Sequence, residues 1–392
     1  MNISTAPSRR SKRALILSFI FRFSKAIQGF VSKNAVLVIA SSLAIASCFI
    51  VPPDAKYAGY FDLKTLSCLF CTLAVICALK NIRFFTIVAR KIVKCAGNVR
   101  SLTLTLVYIT FIGSMFIAND MALLTFLPLG YIALSSTGKE KYMASIFILQ
   151  NIAANLGGML TPFGNPQNLY IFTRFGIPTG EFMGIMALPF ALAIALFTLC
   201  CLIFFPKEEL KLDAIEIGTL PKKKTIFNLV LFALTIVMVF RLIPYYVCLP
   251  IVFFAVFFED RDALKKVDYP LLLTFTAFFL LAGNVSRIEA VSSFFSMLLE
   301  KNTFLTSVLS CQFISNVPSA ILLSEFTDNY RELLLGVNIG GAGTLISSLA
   351  SLITFREYTS HVKGKTLKYI GLFSAFNFSF LIILSAFTML FI

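Results

Sequence analysis

Asn155-Leu156-Gly157-Gly158-Met159-Leu160-Thr161-Pro162-Phe163-Gly164-Asn165-Pro166-Gln167-Asn168 interrupts an apolar run that extends from Tyr142 to Thr173. Adjacent glycines weaken a helix, and the two prolines remove donors and break it. A second apolar run, Leu333 to Phe355, is broken at Asn338-Ile339-Gly340-Gly341. One offset aligns the two breaks and also places Thr161 on Thr344 and Asn168-Leu169 on Ser351-Leu352. Interrupted backbone inside a hydrocarbon layer has N–H and C=O groups that lipid cannot satisfy. Such breaks persist where protein covers them or where water and solute reach them.

Working outward, the correspondence continues. Phe116-Ile117-Ala118-Asn119 matches Phe313-Ile314-Ser315-Asn316, each within an apolar segment upstream of its break, and Phe61-Asp62 resembles Val267-Asp268, each opening an apolar helix. Several matches in one order define an internal repeat. The expected fold is an all-α polytopic membrane protein built of two inverted repeats. It has about nine crossings, two re-entrant hairpins and two broken helices. The boundaries read as a basic N-terminal segment with an interfacial helix, 1–34, and repeat 1, 35–205, with its hairpin at 101–134 and broken helix at 142–173. A linker with a topology-inverting helix follows, 206–242. Repeat 2 spans 243–392, with its hairpin at 302–326 and broken helix at 331–355.

Composition agrees. Of 392 residues, 58% are hydrophobic and only 14% are charged, with a mean hydropathy of +0.87. Apolar stretches near bilayer-spanning length recur from Asn34 onward. The net charge of +15 would point to nucleic acid in a soluble protein. Here the basic residues sit between apolar segments, and no Gly-rich phosphate loop or zinc-finger spacing accompanies them. In the crossing scheme, 27 of the 34 Lys and Arg fall on one side, which makes the N-terminus cytoplasmic by the positive-inside rule. That places the chain in a plasma membrane of the bacterial inner-membrane type. Arg9, Arg10, Lys12 and Arg13 precede a short apolar stretch, but Arg22 and Lys25 interrupt it, so Ala14 to Val31 reads as a surface amphipathic helix rather than a cleavable signal. Eight of the nine cysteines lie in apolar segments and read as small buried hydrophobes; with one histidine, His361, no metal cluster is expected.

Two hairpin tips and two broken helices are expected to converge on one polar pocket. Its first-half candidates are Asn119, Asp120, Asn155, Thr161, Asn165 and Asn168, with Gly157, Gly158 and Gly164 letting backbone approach a solute. Those of the second half are Ser315, Asn316, Ser319, Asn338, Thr344, Ser347 and Ser348, with Gly340, Gly341 and Gly343. Neutral amides and hydroxyls coordinate cations or donate to carboxylates. Asp120 is the one acid inside the apolar run of a hairpin, which fits a coupling-ion ligand or proton carrier, against the alternative of a tip facing water. Val317 holds the matching place in the second half. A nucleophile–base pair or ligand set for an intramembrane enzyme is not found.

At these residues the sequence resembles the ion transporter superfamily, in particular its citrate-transporter-like, arsenite/sodium-antiporter-like and dicarboxylate/sodium-symporter branches. The resemblance runs from about Ala35 to the C-terminus and is carried by Phe116-Ile117-Ala118-Asn119-Asp120, the Asn155–Asn168 stretch, Ser315-Asn316-Val317-Pro318 and Gly336-Val337-Asn338-Ile339-Gly340-Gly341. It implies a scaffold and a mobile transport domain, often a homodimer, that moves an ion by alternating access. The sodium-coupled dicarboxylate branch has Ser-Asn-Thr at both tips; here they read Ala118-Asn119-Asp120 and Ser315-Asn316-Val317. The expected function is a secondary transporter of a small anion, citrate or another carboxylate, coupled to H⁺ or to Na⁺ held near Asn119, Asp120 and Asn316, with no cofactor and no nucleic acid. The alternative is a cation/proton antiporter or arsenite-type efflux permease that uses Asp120.

Overall fold

The computed structural model describes Gly29, residues 34–210 and residues 218–392; the interfacial helix expected over Ala14 to Val31 lies outside the described residues. Apart from an isolated bridge between Asn98 and Glu209, the described elements are helical. The first part comprises α1 (Ala35–Ile50), α2 (Leu63–Asn81), α3 (Phe84–Val93), α4 (Val99–Ile117), α5 (Asn119–Ser136), α6 (Met143–Gly157), α7 (Pro166–Arg174) and α8 (Thr179–Phe204). Then come α9 (Lys222–Val239), α10 (Tyr245–Glu259), α11 (Arg261–Lys265), α12 (Tyr269–Val285), α13 (Glu289–Ile314), α14 (Asn316–Leu323), α15 (Tyr330–Ile339), α16 (Leu349–His361) and α17 (Thr366–Thr388).

Short polar residues at the ends of apolar runs set the helix starts. Asp62 caps α2 by accepting from Thr65 N at 2.9 Å, and Asp268 caps α12 by accepting from Leu271 N at 3.0 Å. Asn98 forms a capping box with Ser101 at the start of α4. Asn302 does related work inside α13. Its φ of −166° interrupts the helix, and its Oδ1 accepts from Leu305 N at 2.6 Å. The hairpin limb expected to begin at 302 is therefore continuous with the preceding residues 289–301 as one kinked element. The pair α12 and α13 is itself bent by 100° at Ser286–Ile288.

Each tight reversal turns on one residue. Ala118, between α4 and α5, has φ 63° and ψ 150°, and Ser315, between α13 and α14, has φ 75° and ψ 158°. This backbone region is otherwise nearly confined to glycine and costs on the order of 1–3 kcal/mol per residue. The next side chain supports each turn: Asn119 Oδ1 accepts from Asp120 N and Asn316 Oδ1 from Val317 N, both at 2.9 Å.

Boundaries differ from expectation at three places. The first hairpin occupies 99–136, beyond 101–134, because the Asn98 cap lies below Ser101. The second limb of the other hairpin ends at Leu323, inside 302–326. The helix after the second break continues past Phe355 to His361, its last turns carrying Arg356, Glu357, Ser360 and His361.

Among the described residues, four helices, α2, α4, α8 and α17, are long and apolar enough to cross a membrane, and the bent α12–α13 pair makes up to five. Of the remaining apolar segments some are cut by breaks and others, such as Ala35–Ile50 and Tyr245–Glu259, are continuous but short, so length alone leaves the crossing number open. The broken elements occupy the centre. α6 is almost wholly buried among α4, α5 and α16, while α7 packs against α14 and α15. Outer faces of α8 and α17 expose Leu199, Ile203, Phe204, Ile382 and Ile383, as lipid-facing helices do. The rims carry ion pairs. Glu208 meets Lys139 (2.7 Å) and Lys141 (3.1 Å) at one end, and Arg174–Glu325 (2.9 Å), Arg331–Glu181 (2.7 Å) and Arg287–Asp54 (2.7 Å) lie elsewhere on the rims.

Candidate transport site

The two reversals and two helix breaks meet. Asn119 Nδ2 donates to Asn155 Oδ1 at 3.0 Å, joining the first tip to the first break. Asn155 Nδ2 donates to Ser348 Oγ at 3.0 Å and reaches Gly341 O at 3.5 Å, joining the first break to the second. At the other tip, Asn316 N donates to Ser347 O at 2.9 Å, and Ser315 Oγ reaches the same carbonyl at 3.3 Å. Asn338 Nδ2 donates to Asn168 Oδ1 at 2.6 Å, while Asn165 Nδ2 reaches Asn155 O at 3.2 Å and Asn338 Oδ1 at 3.4 Å. Asn119, Asn155, Asn165, Asn168, Asn316, Asn338, Ser347 and Ser348 are all buried.

The threonines tie backbone to backbone. Thr161 Oγ1 donates to Met115 O at 2.8 Å and Thr344 Oγ1 to Gln312 O at 3.0 Å, so each break grips a carbonyl three residues before its tip. Asn168 Nδ2 donates to Gly158 O (3.0 Å), Met159 O (3.2 Å) and Thr161 O (3.3 Å), closing the loop that separates α6 from α7. Close approach requires Gly157 and Gly158. A Cβ at Gly157 would lie 2.2 Å from Phe111 O, and one at Gly158 2.3 Å from Asn165 Oδ1. Gly164 lies against Gly158, Gly340 against Cys311, and Gly341 beside Asn316, its carbonyl accepting from Ser347 Oγ at 2.8 Å. Ser319 stands apart: its hydroxyl pairs with Ser310 Oγ at 2.9 Å within its own hairpin.

One oxygen of the cluster, Asn165 Oδ1, and one on the residue after the first tip, Asp120 Oδ1, are buried without a hydrogen-bond partner. Buried acceptors without donors are costly, and each leaves a position for a cation, a proton or a ligand hydroxyl. Around them four helices begin, at Asn119, Pro166, Asn316 and Leu349, and four end, at Ile117, Gly157, Ile314 and Ile339. Helix starts present N–H groups and partial positive charge, and helix ends present carbonyls and partial negative charge.

The citrate transporter family, CitMHS, matches residues 19–329. The chain belongs to this family. It is 33% identical over 301 residues to an uncharacterized transporter of Methanocaldococcus jannaschii, covering 76% of this chain and 82% of that protein. It is also 31% identical over 277 residues to the inner membrane protein YbiR of Escherichia coli, covering 70% and 74%. As a member of the citrate transporter family the chain is a multi-pass membrane transporter of a small-molecule substrate, and not an enzyme.

Several polar residues of this citrate-transporter-family chain join the cluster although the sequence reading passed over them. Gln312 donates to Gly340 O at 2.8 Å and accepts from Thr344 N at 3.0 Å, so it braces the second break from the hairpin. Asn151 reaches Ser351 Oγ at 3.3 Å and Asn377 Oδ1 at 3.5 Å, linking α6, α16 and α17. Ser351, aligned with Asn168 across the repeats, also pairs with Ser348 Oγ at 3.0 Å. Gln312 escaped notice because its repeat partner is Met115. An amide within an otherwise apolar run was the signal available for Asn151 and Asn377.

Proposed function

We propose that the protein is a secondary active transporter that carries a small carboxylate anion, citrate or a close analogue, across the plasma membrane by alternating access, coupled to H⁺ or Na⁺. The observation that carries this reading is the convergence of four helix starts on a buried amide cluster with an unpartnered oxygen on Asn165, beside a tip whose next residue, Asp120, carries another. The N–H ends and neutral amides suit carboxylates, and the unpartnered oxygens suit the coupling cation. In this reading Asn119, Asn155, Asn316, Asn338 and Ser348 face the anion, while Asp120 and Asn165 hold the proton or sodium.

The recurring Asp caps, single-residue reversals and Thr ties support two repeats, 35–205 and 243–392. Placed with opposite orientations about α9, these give nine crossings with a cytoplasmic N-terminus, and the charge distribution favours that side. Asp120 Oδ1 also favours a second reading, a cation/proton antiporter or arsenite-type efflux permease, in which the carboxylate itself is the cargo site.

Purified protein in proteoliposomes separates the two. Counterflow of labelled citrate or another carboxylate, driven by an imposed pH or Na⁺ gradient, is the expected result. Movement of Na⁺ or arsenite with no carboxylate counterflow across the panel refutes the first reading and leaves the second.

A further inference from the structure

An apolar groove of about 550 Å³ runs along the outside of α4. Its length follows the hairpin from Leu104 to Phe116, about 18 Å of helix. One wall is α4, with Ile112 and Phe116 exposed. The opposite wall is α9, through Leu229 and Phe232, and the amphipathic α3 closes one end with Val88 and Ile92. The volume is that of a ligand site, yet the lining is almost wholly hydrocarbon, so it cannot hold a carboxylate substrate. The Tyr108 hydroxyl, the polar tip nearest its middle, is turned to Thr198 Oγ1 at 2.7 Å.

The rim is basic. Arg83 immediately precedes the lining residue Phe84, and Lys91 immediately precedes Ile92; both are exposed. α9 opens with Lys222-Lys223-Lys224, about 7.5 Å of helix before Leu229. Lys224 pairs with Glu259 at 3.5 Å, and Lys222 and Lys223 are exposed. A slot with hydrocarbon walls and a cationic mouth is complementary to one class of molecule present at that depth in a cytoplasmic leaflet.

We propose that this groove is a binding site for an anionic phospholipid, with one acyl chain lying between α4 and α9 and its phosphate on Arg83, Lys91, Lys222 and Lys223. The chain enters sideways from the bilayer, because the groove is open along its length. Its end reaches Phe116, two residues from the reversal at Ala118, so the lipid fills the space between the first hairpin and the linker helix. The proposal rests on the cytoplasmic placement of α3 and the start of α9, but not on the identity of the transported solute.

The test uses the full chain in vesicles containing trace phosphatidylglycerol or phosphatidylcholine with a photoreactive acyl chain, and maps cross-linked peptides by mass spectrometry. Cross-links on α4 and α9 should favour phosphatidylglycerol about fivefold or more, the preference expected from about 1 kcal/mol per engaged basic residue. Arg83→Gln with Lys91→Gln, Lys222→Gln and Lys223→Gln should bring the two lipids level. Leu229→Trp should remove the groove cross-links while the melting temperature stays at the wild-type value; should that variant melt early, Ile112→Trp fills the groove from the other wall. Equal labelling by both lipids in the wild type, or undiminished labelling in the filled variant, overturns the proposal. The readout needs no transport activity, so it stands or falls separately from the transport reading.

Discussion

Asn155→Leu is the perturbation that bears most directly on the site. The side chain accepts from Asn119 at 3.0 Å, donates to Ser348 at 3.0 Å and is 2% exposed. Leucine is close in size, so the loss is polar rather than steric. Interhelical hydrogen bonds in membrane proteins average about 0.6 kcal/mol, and an amide left without an acceptor adds about 1–3 kcal/mol. The folded protein should therefore weaken by about 2–4 kcal/mol and remain intact at moderate temperature. Transport should suffer more. If Asn155 Nδ2 exchanges Ser348 for a substrate carboxylate, the lost charge-assisted bond is worth about 1.5–3 kcal/mol, or roughly 10–150-fold in apparent affinity. The assay is counterflow in proteoliposomes across a range of external substrate, alongside a melting curve in detergent. A variant with lowered melting temperature and wild-type KM and rate would refute the reasoning, because the amide would then serve packing alone.

Further outcomes follow from other residues. Asp120→Asn keeps the shape of a side chain whose Oδ1 lacks a partner but removes its charge, so gradient-driven uptake should fall at least about tenfold while exchange at equal ion concentrations persists; accumulation with wild-type pH and sodium dependence would take Asp120 out of the mechanism. Glu208, on the rim, has its carboxyl held down to about 2 by hydrogen bonds from Lys139, Tyr142 and Lys141, against an ordinary 4.5. A depressed folded-state pKa stabilises above the unfolded value and is lost as pH falls through the folded one. The melting-temperature gap between wild type and Glu208→Gln should thus be full above about pH 5 and shrink from pH 4.5 towards 2; a gap unchanged across that window would show that the Lys139 and Lys141 pairs contribute nothing. Cysteines placed at the exposed positions Lys94 and Lys222 should label from the cytoplasm, and those at Ala58 and Arg174 from outside; opposite labelling of Lys94 and Lys222 would end the inverted-repeat scheme.

Much of the fold was legible because the bilayer imposes a local code. Lipid supplies no hydrogen bonds, so a Gly-Gly step or a Pro within an apolar run marks a break wherever it occurs, and the breaks at 158–165 and 340–348 lie where those residues do. The reversals at Ala118 and Ser315 were readable from the asparagine that follows each, which supports the turn through its own side chain. Charge between apolar runs carries the expected orientation, since moving a Lys or Arg across hydrocarbon is costly whatever the packing.

The sequence by itself determined that the chain is apolar, helical, interrupted at matched places and built for a membrane, because each of these follows from residues adjacent along the chain. The tertiary structure decided which polar groups share a pocket. Asn155 meets Ser348 across 193 positions of sequence, and Asn338 meets Asn168 across 170. Gln312 supports a break with which it shares no motif, whereas Ser319, with the same credentials as Ser315, turns to Ser310 instead. A side chain's partner depends on the rotation of one helix against another, and that angle is set by packing over whole helix faces rather than by the residues at the break.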